Sequence, residues 1–231
     1  LCDAESAARA LLALVTGSEQ HALLRRLLAE EYRAHASKPQ EILRAQSLAS
    51  RALGQHARRV GTGYLHACLH ELATELAPGG LDVDFEAGVG ADAAAVAGVG
   101  ALLERLVSAL SSPGALAQLP ASMDALLREV GRLSDAAGHA PSLKVLVSGN
   151  YLVLRFLNPA VLAPETHGIV AEAPTDGGRK ALKLLAKLLQ NAANGTMPKE
   201  EALAPFRPHV AAATERMEAF LLRSTHRTTQ A

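Results

Sequence analysis

Tryptophan is absent from this 231-residue chain, which holds only three tyrosines and four phenylalanines. Runs of β-branched and aromatic residues, the material of strands, are nearly missing as well, which argues against a sheet-based fold. Two cysteines, Cys2 and Cys68, give neither a disulfide framework nor a zinc site, and they point to a reducing compartment. There is no excess charge of either sign: 23 basic side chains face 23 acidic ones. That balance argues against wholesale electrostatic capture of nucleic acid or of an anionic membrane, although not against a local basic face. No basic segment precedes an apolar run at the start, so no signal peptide is read. The longest apolar stretch is interrupted by Lys144, Arg155 and Asn158, too soon for a membrane span. No G-x-x-x-x-G-K-[ST] phrase exists, so the chain holds no nucleotide by a P-loop. It also opens without Met, which reads as a fragment of something longer.

What is present is alanine and leucine, within a chain that is 49% apolar. Both are strong helix formers, and the expectation is an almost all-helical protein, long enough for one large domain or two small ones. Helical spacing covers Glu5 to Leu14, then Leu23 to Tyr32 behind Ser18 as N-cap. A long pattern from Ser47 to Leu76 has a break near Gly61-Gly63. Further helices cover Val99 to Leu110, Ala121 to Leu133, Arg179 to Asn194 and Pro205 to Leu222. Residues 77–91, rich in Gly and Asp, read as an exposed loop, and a second connection runs from Pro164 to Gly178.

Weak signals come first. "AGVGADA", Ala87 to Ala93, superficially resembles a dinucleotide loop but lacks the surrounding strands, so it reads as linker. His66 and His70 stand at i, i+4, a chelating spacing without a third ligand, and they read as ordinary histidines with no metal site. In "GRKALKLLAKLLQNAANG", Leu182, Leu185, Leu188 and Leu189 form an apolar stripe. Lys180, Lys183, Lys187, Gln190 and Asn194 line the opposite face, either as a solvated surface or as donors for an acidic partner. Gly195 suits the position after the helix end. Arg44 reads as a surface arginine, on a local pattern that allows one helix from Pro39 through Leu53. Arg155 sits inside an apolar run just before Asn158-Pro159. It lies either on a wet edge or under the hold of hydrogen bonds, because a buried arginine without partners costs several kcal/mol.

Three ordered blocks together resemble the Ras GTPase-activating protein (RasGAP) family. The phrase Val153-Leu154-Arg155-Phe156-Leu157-Asn158-Pro159-Ala160 is similar to the family signature F-L-R-F-x-N-P-A, with Val153 in place of the usual Phe. Ile42-Leu43-Arg44-Ala45-Gln46-Ser47-Leu48-Ala49-Ser50 is similar to the finger region, with Leu43 in place of Phe. Leu182 to Asn194, with Lys199-Glu200-Glu201 and Pro205-Phe206, fits the third block. The resemblance covers about residues 20–222.

It implies a single all-α, irregular multi-helix domain over 1–231, with its core at about 20–222 and a shallow groove for a Ras-family GTPase in its GTP-bound form. By that resemblance Arg44 is an arginine finger supplied in trans, and Arg155 stabilises the finger loop through its main-chain carbonyls. Leu154, Asn158, Lys187, Gln190, Asn194 and Lys199 contact the GTPase, and Asn158-Pro159 ends its helix. The chain is then an activator and not itself the hydrolase. It needs no cofactor, since GTP and Mg²⁺ travel with the partner. The same resemblance implies a cytoplasmic monomer brought to membranes by regions outside this chain. The alternative is a docking module of the same fold that does not catalyse; the presence of Arg44 favours the first.

Overall fold

The computed structural model describes residues 3–79 and 93–226. Among the described residues the regular elements are helices and there is no strand. In chain order they are α1 (Ala4–Leu14), α2 (Gly17–Ala34), a 3₁₀ turn (Pro39–Glu41), α3 (Leu48–Val60) and α4 (Thr62–Leu76). After these come α5 (Ala93–Leu110), α6 (Pro113–Ala117), α7 (Ala121–Ala136) and α8 (Pro141–Gly149). A π-helical segment (Asn150–Leu157) leads into α9 (Asn158–Leu162) and a second 3₁₀ turn (Pro164–His167). Then follow α10 (Asp176–Asn194), a third 3₁₀ turn (Glu201–Phe206) and α11 (Arg207–His226). Of the Gly- and Asp-rich stretch 77–91, residues 80–91 lie outside the described residues, as do most of "AGVGADA" and Cys2.

The chain groups into two compact units. The first comprises residues up to Gly61, Leu119–Phe156 and those from Phe220 on; the second comprises Thr62–Gln118 and Leu157–Ala219.

In the first unit α3 packs on α1 and α2, and α7 packs on α2 and α8. Leu24, Leu28, Leu53, Leu126, Leu127, Tyr151, Leu152 and Phe156 are fully buried there. Helical spacing puts these apolar side chains on inward faces, and removing them from water is the main force closing the unit. Two glycines allow close approach. A Cβ on Gly61 would sit 2.4 Å from the Phe156 ring, and one on Gly54 would sit 3.3 Å from the Arg155 carbonyl oxygen. Tyr32 anchors α2 to α7 by hydrogen bonding the Val130 carbonyl at 3.1 Å and the Ser134 hydroxyl at 2.8 Å.

In the second unit α10 packs on α9, α5 and α4. Its stripe Leu182, Leu185, Leu188 and Leu189 is buried, as its spacing predicts. Thr175 caps the helix by accepting from the Gly178 amide at 3.2 Å, and Gly195 closes it with φ 63°. A side chain at Gly178 would collide with the Ala77 and Leu76 carbonyls at 2.4 and 2.7 Å, so α10 starts hard against the end of α4. Tyr64 donates to the Leu110 carbonyl at 2.8 Å. Burial pushes the Cys68 thiol up to about 12, which keeps it protonated and unreactive.

Four expectations change. The helix from Pro39 through Leu53 does not form: a single 3₁₀ turn is followed by an irregular loop, and α3 begins only at Leu48 behind Ser47. The second helix starts at Gly17, ahead of Ser18, and Thr16 occupies the cap position without a side-chain cap bond. The chain stays helical through Asn158-Pro159 to Leu162, with Pro159 in the first turn of α9. A proline ring there clashes with the carbonyl four residues back and supplies it no N–H, and the widened π turn before it accommodates both defects. Finally, Pro141–Leu162 and Ala93–Leu110 are long and apolar enough to cross a membrane, so interruption by Lys144, Arg155 and Asn158 does not decide the matter. Burial of most of Pro141–Leu162 accounts for its apolarity as core.

Candidate functional site

The first unit carries Arg44, Leu154 and Arg155; the second carries Asn158, Lys187, Gln190, Asn194 and Lys199. Each group has its own geometry.

Arg44 is exposed, on a loop flanked by the fully buried Ile42 and Leu43 on one side and α3 on the other. Leu43 has φ 58°, the one positive-φ residue other than glycine among the described residues. A leucine in the left-handed region costs on the order of 1–2 kcal/mol, so something must hold the loop in that shape. Local bonds do part of it. The amides of Arg44 and Ala45 both donate to the Glu41 carbonyl, at 2.9 and 3.1 Å. Ser50, on the first turn of α3, donates its hydroxyl to the Ala45 carbonyl at 2.7 Å and to the Ser47 carbonyl at 3.0 Å.

Distant residues do the rest. Arg155 Nε donates to the Leu43 carbonyl at 2.8 Å, and Nη2 donates to the Ala45 carbonyl at 2.8 Å and also to that of Arg44. Nη1 reaches the Gln46 side-chain oxygen at 3.4 Å. Three successive carbonyls thus converge on one planar guanidinium, whose fixed fork of donors suits the task. Burial first, and then the neighbouring Arg51, hold the Arg155 guanidinium below its ordinary value, while Glu31 acts in the opposite sense. Asn150 donates to the Ile42 carbonyl at 2.9 Å, and the Leu43 amide donates to the buried Glu31 carboxylate at 3.1 Å. Leu154, next to Arg155, is half-buried. Of the alternatives for Arg155, the hydrogen-bonded one is what the structure holds.

Glu31, Asn150 and Ser50 were not legible as loop-holding residues. Glu31 sits in "AEEYRAH", a stretch that reads as the polar face of a helix. Only the fold brings it to residue 43.

In the second unit a row of amides joins α9 to α10. Asn158 Nδ2 donates to Gln190 Oε1 at 2.8 Å, and Gln190 Nε2 donates to Asn194 Oδ1 at 2.9 Å. Asn158 is buried, whereas Gln190 and Asn194 are half-exposed. One turn back along α10, Lys187 pairs with Glu200 at 2.8 Å. That hydrogen bond holds the Glu200 carboxyl below its usual range. Lys199 is exposed on the segment after α10. Asn158, Gln190, Asn194 and Lys187 therefore share one face, with Lys199 beside the Glu200 that Lys187 holds.

The histidines at 66 and 70 stack with ring centroids 4.2 Å apart, and His70 Nδ1 lies 2.8 Å from the Ile169 carbonyl. Among the described residues no three His, Cys, Asp or Glu side chains come together as a metal site.

Residues 101–194 match the family model described as GTPase-activator protein for Ras-like GTPase. That segment contains Leu154, Arg155, Asn158, Lys187, Gln190 and Asn194; Arg44 and Lys199 lie outside it. The chain is 26% identical over 210 residues to Neurofibromin-A of Dictyostelium discoideum, an alignment covering 78% of this chain and 22% of the relative. Two proteins of Saccharomyces cerevisiae are similar too. Inhibitory regulator protein IRA2 is 25% identical over 191 residues, covering 82% of this chain and 6% of that protein. Inhibitory regulator protein IRA1 is 26% identical over 188 residues, covering 80% and 6%. The chain thus spans about a fifth of the first relative and far less of the other two. The family model over residues 101–194 and these relatives together make the chain similar to Ras GTPase-activating proteins.

Proposed function

We propose that this chain activates GTP hydrolysis by a Ras-family GTPase in its GTP-bound form and supplies Arg44 as the arginine finger. The observation that carries the reading is the finger loop: an exposed arginine on a strained backbone, with the carbonyls of residues 43, 44 and 45 all engaged by Arg155. Such a loop holds its charged side chain toward solvent at little further cost in ordering when a partner arrives. The match of residues 101–194 to the model of activators of Ras-like GTPases supports the choice of partner.

The chemistry is electrostatic. During phosphoryl transfer, negative charge spreads over the phosphoryl oxygens, and a guanidinium that stays protonated stabilises it with directed hydrogen bonds. For arginine supplied in trans to Ras-type GTPases, the known gain is on the order of 10³–10⁵. The partner carries nucleotide, Mg²⁺ and attacking water, so this chain acts as an activator. Arg155 is the residue that holds Arg44 in place. Leu154, Asn158, Lys187, Gln190, Asn194 and Lys199 contact the GTPase, where the amide row and the lysines offer donors to acidic and main-chain groups.

The test is single-turnover GTP hydrolysis by a panel of Ras-family GTPases with and without this chain. Acceleration of at least one of them is the expected result. GTP-dependent binding with no acceleration by any would replace activation with docking alone.

A further inference from the structure

Resting on the reading above, we infer that Glu31 is a positioning residue for Arg44: its buried carboxylate holds the Leu43 amide and so fixes the left-handed turn that presents the finger. Leu43 is fully buried, and among the described residues its N–H has no main-chain partner, unlike the amides of Ile42, Arg44 and Ala45, which bond to Pro39 or Glu41. Its acceptor is the side-chain Glu31 Oε1 at 3.1 Å. Glu31 itself is 4% exposed, on the last turns of α2, beside His35 at 3.5 Å. A buried carboxylate is retained at a cost unless it has a specific acceptor role, and this one meets the peptide group that carries the chain's one non-glycine positive φ among the described residues.

The arrangement also explains how the turn stays in one conformation. Arg155 engages carbonyls from Leu43 onward, on the carboxyl side of that residue. The peptide group on its amino side is held at both ends, the Ile42 carbonyl by Asn150 and the Leu43 N–H by Glu31. An anion on the amide and a cation on the carbonyl of the same residue fix φ and ψ together, and the direction of the Arg44 side chain follows from both.

Glu31→Met fills similar space without an acceptor, and Glu31→Gln restores an acceptor oxygen. Single-turnover hydrolysis, titrated with chain, separates the maximal rate from the half-saturating concentration. Glu31→Met lowers the maximal rate by roughly tenfold with less than about a threefold change in half-saturation, and Glu31→Gln returns the rate to within about threefold. In an Arg44→Ala background the Glu31→Met effect disappears, because Glu31 acts through Arg44. An unchanged maximal rate in Glu31→Met, or full additivity with Arg44→Ala, overturns the inference.

Amide hydrogen exchange needs no GTPase and separates this inference from the proposed function. Residues 42–47 exchange at least about tenfold faster in Glu31→Met than in wild type while α7 and α10 are unchanged. Unchanged exchange over 42–47 overturns the role of Glu31 whatever the chain does to a GTPase. Faster exchange in a chain that accelerates no GTPase supports the hold on the loop and removes the proposed function alone.

Discussion

Arg155 and Leu43 are 112 positions apart in sequence, yet the guanidinium Nε donates to the Leu43 carbonyl at 2.8 Å. The same arginine takes the next two carbonyls as well, and that contact is what separates the loop around Arg44 from an ordinary surface connection. Replacing Arg155 with Ala takes its donor from the Leu43 and Arg44 carbonyls, leaves the Ala45 carbonyl with Ser50 alone, and removes the charge that shapes the loop. The expected loss is about 2 kcal/mol of stability, read by urea unfolding, together with a fall in maximal activation. Arg155→Lys restores little of either, because an ammonium cannot reproduce the fork. Full activity and stability in Arg155→Lys would show that charge alone suffices.

A surface pair gives the opposite pattern. Lys187 and Glu200 are both about half exposed, so water screens their 2.8 Å contact and it adds little to stability. Lys187→Glu is expected to fold normally by circular dichroism and to weaken GTPase binding by roughly tenfold, read by titration at low salt. Unchanged affinity in a natively folded variant would remove Lys187 from the binding face.

Asn158 tests the amide row. Its Nδ2 is bonded to Gln190, which in turn donates to Asn194, so Asn158→Ala releases Gln190 from its buried partner. The expected cost is about 1 kcal/mol of stability, with weaker GTPase binding and an unaltered finger loop by hydrogen exchange over residues 42–47. Faster exchange there would contradict that separation.

Acid sensitivity has an identifiable source in the first unit. His56 is buried, with Nδ1 3.3 Å from Gln20 Oε1 and Nε2 3.0 Å from Ser122 Oγ. Burial first, then Arg59 and His21, push its pKa down from 6.5 to about 4. Between those values the unfolded chain binds a proton that the folded protein refuses. The stability owed to neutral His56 is therefore full above pH 6.5 and is lost as pH falls toward 4. Thermal unfolding in this window is expected to show a slope that flattens in His56→Asn. An equal slope in both proteins would place the titration elsewhere.

How much of this was legible in the sequence depends on the range of the forces involved. Alanine and leucine spacing gives the helices, the break at Gly61-Gly63 and the α10 stripe, because each is set within a few residues. The loop around Arg44 is set by Glu31, Asn150 and Arg155, which stand 12, 108 and 112 positions from their partners. Local propensity there favours a helix through Leu53, and tertiary bonds override it. Asn158-Pro159 misleads for a similar reason: a proline reads as a stop, and the π turn that lets the helix continue leaves no composition signal. From local pattern Arg155 was legible only as a choice between a wet edge and a hydrogen-bonded role, and the resemblance to the RasGAP family pointed to the second.

The most direct test of the central claim compares wild type with Arg44→Ala in single-turnover hydrolysis by the GTPase that wild type accelerates, with binding measured in parallel. Arg44 makes no side-chain contact that orders the loop among the bonds described above, so the variant is expected to keep its fold and bind within about tenfold of wild type. It is expected to lose most of an acceleration that is on the order of 10³ or more. An Arg44→Ala chain that accelerates hydrolysis as well as wild type would contradict the account.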